Sequence, residues 1–110
     1  MNRSEPDPAS LKNLTELNKL IHEPGRLAIM SFLMVVEEAD FIFLLDQTGL
    51  TRGNLSSHMA KLEKAGYVEI DKEFVDRVPR TTYRLTPAGR GAFLSYRQGL
   101  LESLGAGPEK

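Results

Sequence analysis

The chain has 110 residues, 41% hydrophobic and 26% charged, with no cysteine and a formal net charge of −1. That length suits one compact domain with a single core and not a second, separate module. The composition is that of a water-soluble globular protein. It excludes disulfides and thiolate metal sites and offers neither a membrane-length apolar run nor a secretory signal in MNRSEPDPAS, so the expected location is the cytoplasm.

In chain order, residues 1–9 are polar, with Pro6 and Pro8, and are expected to be a flexible N-terminus. One domain is expected over 10–104, followed by a loose tail at 105–110. Ser10 can cap a first helix in which Leu11, Leu14, Leu17, Leu20 and Ile21 recur at helical spacing. Glu23-Pro24-Gly25 breaks it. Pro24 suits the first turn of a second helix, where a missing N–H costs nothing. That helix is expected to reach about Val36, with Leu27, Ile29, Met30, Leu33 and Met34 inward.

Asp40 is an N-cap candidate for a short helix, Phe41 to Thr48, which Gly49 can end in the left-handed conformation. Thr51 can cap the next helix, Arg52 to Ala65, which Gly66 stops. Two helices joined by about three residues that include a glycine read as a helix-turn-helix. Beyond Gly66 the period changes from helical to alternating. Tyr67, Val68, Ile70 and Phe74 read as one strand and Thr81 to Leu85 as another, joined by a basic segment that holds Arg77, Pro79 and Arg80. Thr86-Pro87 opens a last helix, Ala88 to about Leu101.

The Arg52–Ala65 helix carries the functional reading. At about 100° per residue, Leu55, Met59 and Leu62 form an apolar stripe, and Asn54, Ser57, His58 and Lys61 form another face. Those side chains are hydrogen-bonding groups of short to medium reach plus one cation, which can meet base edges and phosphates in a major groove. Arg52, Gly53 and Asn54 occupy the first turn, where backbone N–H groups point outward and can receive a phosphate. The same polar residues also suit a merely solvated face. The hairpin with Arg77 and Arg80 directly afterwards favours DNA, because a recognition helix followed by a basic hairpin is the order a winged helix needs. Charge is distributed accordingly. Residues 1–50 hold four Lys/Arg against eight Asp/Glu, and residues 51–90 hold eight against five.

LTRGNLSSHMAKLEKAGYVEIDKEF (50–74), RTTYRLTPAGRGAF (80–93) and IHEPGRLAIMSFL (21–33) resemble short single-domain winged-helix transcriptional regulators of the MarR/ArsR type, over roughly residues 14–97. The resemblance implies a mainly α fold with a small β-hairpin (α+β), in the order α-α-α-α-β-β-α. It implies that Thr51, Arg52, Asn54, Ser57, His58 and Lys61 face double-stranded DNA. It also implies a wing at Arg77–Arg80 and a homodimer built from terminal helices. The metal-ligand clusters of ArsR-type sensors and the long extra helices of larger MarR proteins are absent, so no metal, cofactor or effector carries over.

Other candidates read more simply. His22 lies near a helix end, where it suits the dipole. His58 has no nucleophile or orienting carboxylate readable beside it, so no enzyme is expected. Phe41, Phe43, Leu44 and Leu45 read as core, and Tyr67 and Phe74 as strand packing. Leu94, Leu100, Leu101 and Leu104 are surplus on so small a chain and suit an oligomer seam. The expected function is a dimeric, sequence-specific DNA-binding repressor. Arg52, Lys61, Arg77 and Arg80 would hold phosphates, and Asn54, Ser57 and His58 would read bases. The alternative is a winged helix used as a protein-interaction module, which the acidic first half favours.

Overall fold

The computed structural model describes residues 15–105. The expected flexible N-terminus, the helix start at Ser10 with Leu11 and Leu14, and all but the first residue of the tail lie outside them. The described elements are helix α1 (Pro24–Leu33), strand β1 (Ala39–Asp40), helices α2 (Phe41–Thr48) and α3 (Arg52–Lys64), strands β2 (Val68–Val75) and β3 (Val78–Leu85), and helix α4 (Pro87–Ser103). This is an α+β winged helix, as expected, with one short strand added.

The helices start where the chain offers caps. Glu23, Asp40, Thr51 and Thr86 each hold an extended backbone and accept the N–H three residues on. Pro24 and Pro87 follow two of those caps. Gly49 ends α2 at φ 70°, a conformation that a Cβ disfavours.

The first expected helix does not continue to Ile21. Residue 15 is helical, but none of residues 16–23 is. Asn18 holds the turn that stands there instead: its Oδ1 accepts the N–H groups of Leu20 at 3.0 Å and Ile21 at 3.2 Å. A short amide that bonds its own backbone competes with the helical ladder. Helix α1 also stops at Leu33, before the expected Val36. Val35 and Val36 are β-branched, and the chain must turn there to reach β1.

The sheet order is β1-β3-β2, antiparallel throughout. Strand β1 was not expected, being only two residues long with no alternation to read. It places Ala39 opposite Tyr83 and Asp40 opposite Thr82, which ties the start of α2 to β3. The hairpin strands are longer than expected, and their turn shrinks to Asp76-Arg77 between the closing pair Val75 and Val78. Pro79 faces Phe74 beyond the reach of β1, so its missing N–H interrupts no third strand.

One core joins these parts. Ile21, Ile29, Met30, Leu33, Leu44, Leu55, Met59 and Leu62 are almost wholly enclosed, with Val68, Tyr83, Phe93 and Tyr96 around them. The fixed stripe of α3 is thereby the expected Leu55, Met59 and Leu62. Phe74 departs from the expected strand packing: it is 74% exposed, because the hairpin runs past the last core residue. Gly89 allows α4 to approach the start of β2, since a Cβ there would collide with the Tyr67 carbonyl oxygen. Burial of Tyr96 raises its pKa, keeping the phenol protonated, and it meets His22 Nδ1 at 2.7 Å. His22 therefore fastens the N-terminal segment to α4.

Candidate nucleic-acid interface

Helix α3 turns its apolar stripe to the core and leaves Thr51, Arg52, Gly53, Asn54, Ser57 and Lys61 exposed. Asn54, Ser57 and Lys61 recur at i, i+3 and i+7, so they share one outward face. The first turn is partly satisfied from within. Thr51 Oγ1 accepts the Asn54 N–H at 3.1 Å, and the Thr51 carbonyl accepts that of Leu55 at 2.9 Å. The amides of Arg52 and Gly53, the first two of the helix, remain to serve an outside anion. Beyond its chain neighbours and its own helix backbone, nothing lies within 4 Å of where a Gly53 Cβ would stand, so that end is open. The Arg52 guanidinium sits 5.9 Å from the centre of the Phe41 ring, a contact that orients the cation without neutralising it.

His58 is placed differently from its expected companions. Its side chain is only 15% exposed. Nδ1 lies 3.1 Å from Arg26 Nη1, and Nε2 lies 3.8 Å from Glu23 Oε1. A guanidinium only donates, so Nδ1 is the acceptor and Nε2 carries the proton that faces Glu23. The Arg26 Nε–H in turn donates to the Leu20 carbonyl, and its backbone N–H to Glu23 Oε1 at 2.8 Å. Those contacts hold α3 against the start of α1. The approach is close because Gly25 lacks a side chain: a Cβ would stand 2.6 Å from His58 Nε2. Glu23 has a lowered pKa, first because it accepts the Arg26 N–H and further because the Arg26 guanidinium lies nearby, against some burial.

The hairpin ends in a turn whose two central residues, Asp76 and Arg77, have φ of 53° and 68°. Positive φ at both positions matches the right-handed twist of the strands and defines the turn type common in two-residue hairpins. Asp tolerates that region; Arg ordinarily avoids it. Among the described residues Arg77 has no ion-pair partner, and it stands at the outermost point of the wing. Arg80 is not at the tip. It lies within β3 opposite Glu73, with Nη2 3.9 Å from Asp40 Oδ2. Arg84 is held twice, by Glu69 at 2.9 Å and Glu38 at 3.4 Å, and these acids raise its pKa. The basic bias read from the middle of the chain thus divides. Arg84 is spent within the fold, Arg80 is loosely held, and Arg52, Lys61 and Arg77 face outward.

Local pattern shows Gly25 only as a breaker and Asp40 only as a cap. Both have second roles that arise from residues 33 and 40 positions away, and no local pattern signals them. Among the described residues no three His, Cys, Asp or Glu side chains gather as a metal would need. No described helix is long and apolar enough to cross a membrane.

This arrangement matches known proteins. A family model described as a winged helix DNA-binding domain covers residues 26–104. The chain belongs to that family. An uncharacterized protein of Methanocaldococcus jannaschii is 33% identical over 84 residues, which is 76% of this chain and 91% of that protein. The solved structure of a transcriptional regulator homologue from Pyrococcus horikoshii OT3 is 35% identical, with a TM-score of 0.73 over 87% of this chain and 97% of its own. A MarR-family transcriptional regulator from Silicibacter pomeroyi shares the fold at 22% identity, with a TM-score of 0.62 over 86% of this chain and 64% of its own. This winged-helix chain is thereby of the kind that performs DNA-binding regulation.

Proposed function

We propose that this winged-helix chain is a sequence-specific transcriptional repressor that binds double-stranded DNA as a homodimer. One observation carries the reading: an exposed polar face on α3 stands beside a hairpin that holds an unpaired Arg77 at its tip in a conformation arginine ordinarily avoids. A strained residue kept at an exposed tip points to use there, since Gly or Asn would form the turn more easily.

In this reading Asn54 and Ser57 meet base edges in the major groove. Thr51, Arg52, Gly53 and Lys61 hold the flanking phosphates, and Arg77 reaches the backbone or minor groove beside them. Arg80 takes a phosphate nearer the root of the wing. His58 serves this face by bracing α3 rather than by reading a base, because both ring nitrogens are engaged with α1. Two copies would present their recognition helices to successive major grooves about 34 Å apart. Leu94, Leu101 and Leu104, which are 39%, 45% and 59% exposed along and just past α4, supply an apolar seam for that pairing.

Selection of bound fragments from genomic DNA tests the reading. Enrichment of a two-fold symmetric site, with half-sites about one helical turn apart, is expected. Absence of any binding at low salt would overturn it. The competing reading, a protein-interaction module, draws on the exposed Phe74 and Val78 of the wing, 74% and 60% accessible. It would be favoured by a stable protein partner whose binding is lost in Phe74→Ser.

A further inference from the structure

Between the wing and the helix-turn-helix lies a cleft of about 230 Å³, lined by Asp40, Phe41, Ile42, Arg52, Pro79, Arg80 and Thr81. We propose that this cleft seats one phosphodiester group shared by Arg52 and Arg80, and that Asp40 occupies Arg80 until the phosphate displaces it. The proposal deepens the DNA-binding reading and rests on it.

Three elements converge to make the cleft. Strand β1 pairs Asp40 with Thr82, which brings the start of α2 against β3. Arg80, two residues earlier on β3, then faces the Asp40 carboxylate. Arg52 reaches the same space from the first turn of α3, resting over Phe41. The walls carry two guanidinium groups and one carboxylate, an excess of one positive charge. Guanidinium forks match phosphate oxygens in shape and charge. A water molecule occupies about 30 Å³ of liquid, so the cleft has room for a phosphate group.

The Asp40 carboxylate is divided between two tasks. Oδ1 accepts the Phe43 N–H at 2.7 Å and caps α2. Oδ2 lies 3.9 Å from Arg80 Nη2, too far for a hydrogen bond. Both side chains are part exposed, 47% for Arg80 and 34% for Asp40. A loose, solvated pair of this kind contributes little. A phosphate that offers short, charge-assisted hydrogen bonds can therefore take Arg80 from it. Asp40 also sets a threshold: only an anion placed between wing and recognition helix gains both arginines at once.

The test uses the full chain and the substitutions Asp40→Asn and Arg80→Gln, singly and together. Asparagine is as good an N-cap as aspartate, so Asp40→Asn removes the competitor and leaves the helix start intact, which thermal denaturation verifies. In polarisation titrations on a duplex, Asp40→Asn is expected to tighten binding about two- to fivefold, the range that an exposed ion pair of up to about 1 kcal/mol corresponds to. Arg80→Gln is expected to weaken binding and lower the slope of log affinity against log salt by about 0.9. In the Arg80→Gln background the gain from Asp40→Asn should vanish. A gain that persists there would show only general charge repulsion and would overturn the exchange.

A second arm uses inorganic phosphate alone. Arg52 and Arg80 Nε–H resonances should shift on titration, more strongly in Asp40→Asn and not in Arg80→Gln. If the duplex binds but neither resonance moves and Asp40→Asn is neutral, the proposal fails and the DNA reading stands. If phosphate moves both and no duplex binds, the seat serves a free phosphate compound, and both the DNA reading and the assignment to a DNA phosphodiester fail.

Discussion

Arg77 and Glu23 show how single residues divide fold from function. Arg77 holds φ 68° at the tip of the wing. Replacing it by glycine relieves left-handed strain of about 1–2 kcal/mol but adds about 0.5–1 kcal/mol of chain entropy to the unfolded state. Arg77→Gly is therefore expected to leave the unfolding free energy within about 1 kcal/mol of wild type. The same change should weaken DNA binding on every sequence and reduce the salt slope by about 0.9. An unchanged slope would remove the tip from the interface. Glu23 behaves oppositely. Its carboxyl titrates below the ordinary value in the folded chain, chiefly because it accepts the Arg26 N–H. The stability it contributes is fully present above the unfolded carboxyl pKa and is lost as pH falls through the lowered folded value. Wild type should thus melt higher than Glu23→Gln at neutral pH, and the two melting curves should converge in acid. A constant difference across that range would show that Glu23 acts by packing alone.

At the scale of elements, α3 depends on its cap and its stripe in separable ways. Thr51→Ala removes the acceptor for the Asn54 N–H and is expected to cost about 1 kcal/mol in chemical denaturation. Leu62→Ala opens a cavity under the centre of the fold, where Leu62 is fully buried, and should cost about 2–5 kcal/mol. The angle of α3 to the rest is a third matter, set by the His58, Arg26 and Glu23 contacts over Gly25. Gly25→Ala forces that contact apart. It is expected to reduce discrimination between specific and random duplexes more than it reduces affinity for random DNA, as polarisation titrations on both would show. Equal losses on both duplexes would assign His58 to general stability.

For the whole molecule, the decisive feature is an apolar side of α4 that stays exposed among the described residues. Leu94, Leu101 and Leu104 recur on one side along and just past it and stay exposed. Leu94→Glu with Leu101→Glu places charge on the proposed seam while leaving the buried Phe93 and Tyr96 untouched. The variant is expected to be a folded monomer by light scattering, and to lose more than about tenfold in affinity for a two-half-site duplex while binding a single half-site as before. A wild type already monomeric at micromolar concentration would overturn the homodimer.

Local pattern in the chain set the starts of the four described helices, the apolar stripe of α3, the polar face opposite it and the existence of a hairpin. Those features follow from near neighbours: a cap accepts an N–H three residues on, and a stripe needs only the helical repeat. The remaining features came from contacts across the fold. Asn18 Nδ2 donates to the Tyr67 hydroxyl, 49 residues away, and a two-residue strand docked α2 on β3. His58 turned from the outward face to Arg26, 32 residues away, across a glycine. Arg80 met Asp40 and Arg84 met Glu38 and Glu69, so which arginines stay free is a property of the fold. Periodicity says which side of a helix is polar. It does not say which polar groups another element will engage, because that depends on contacts between residues far apart in the chain.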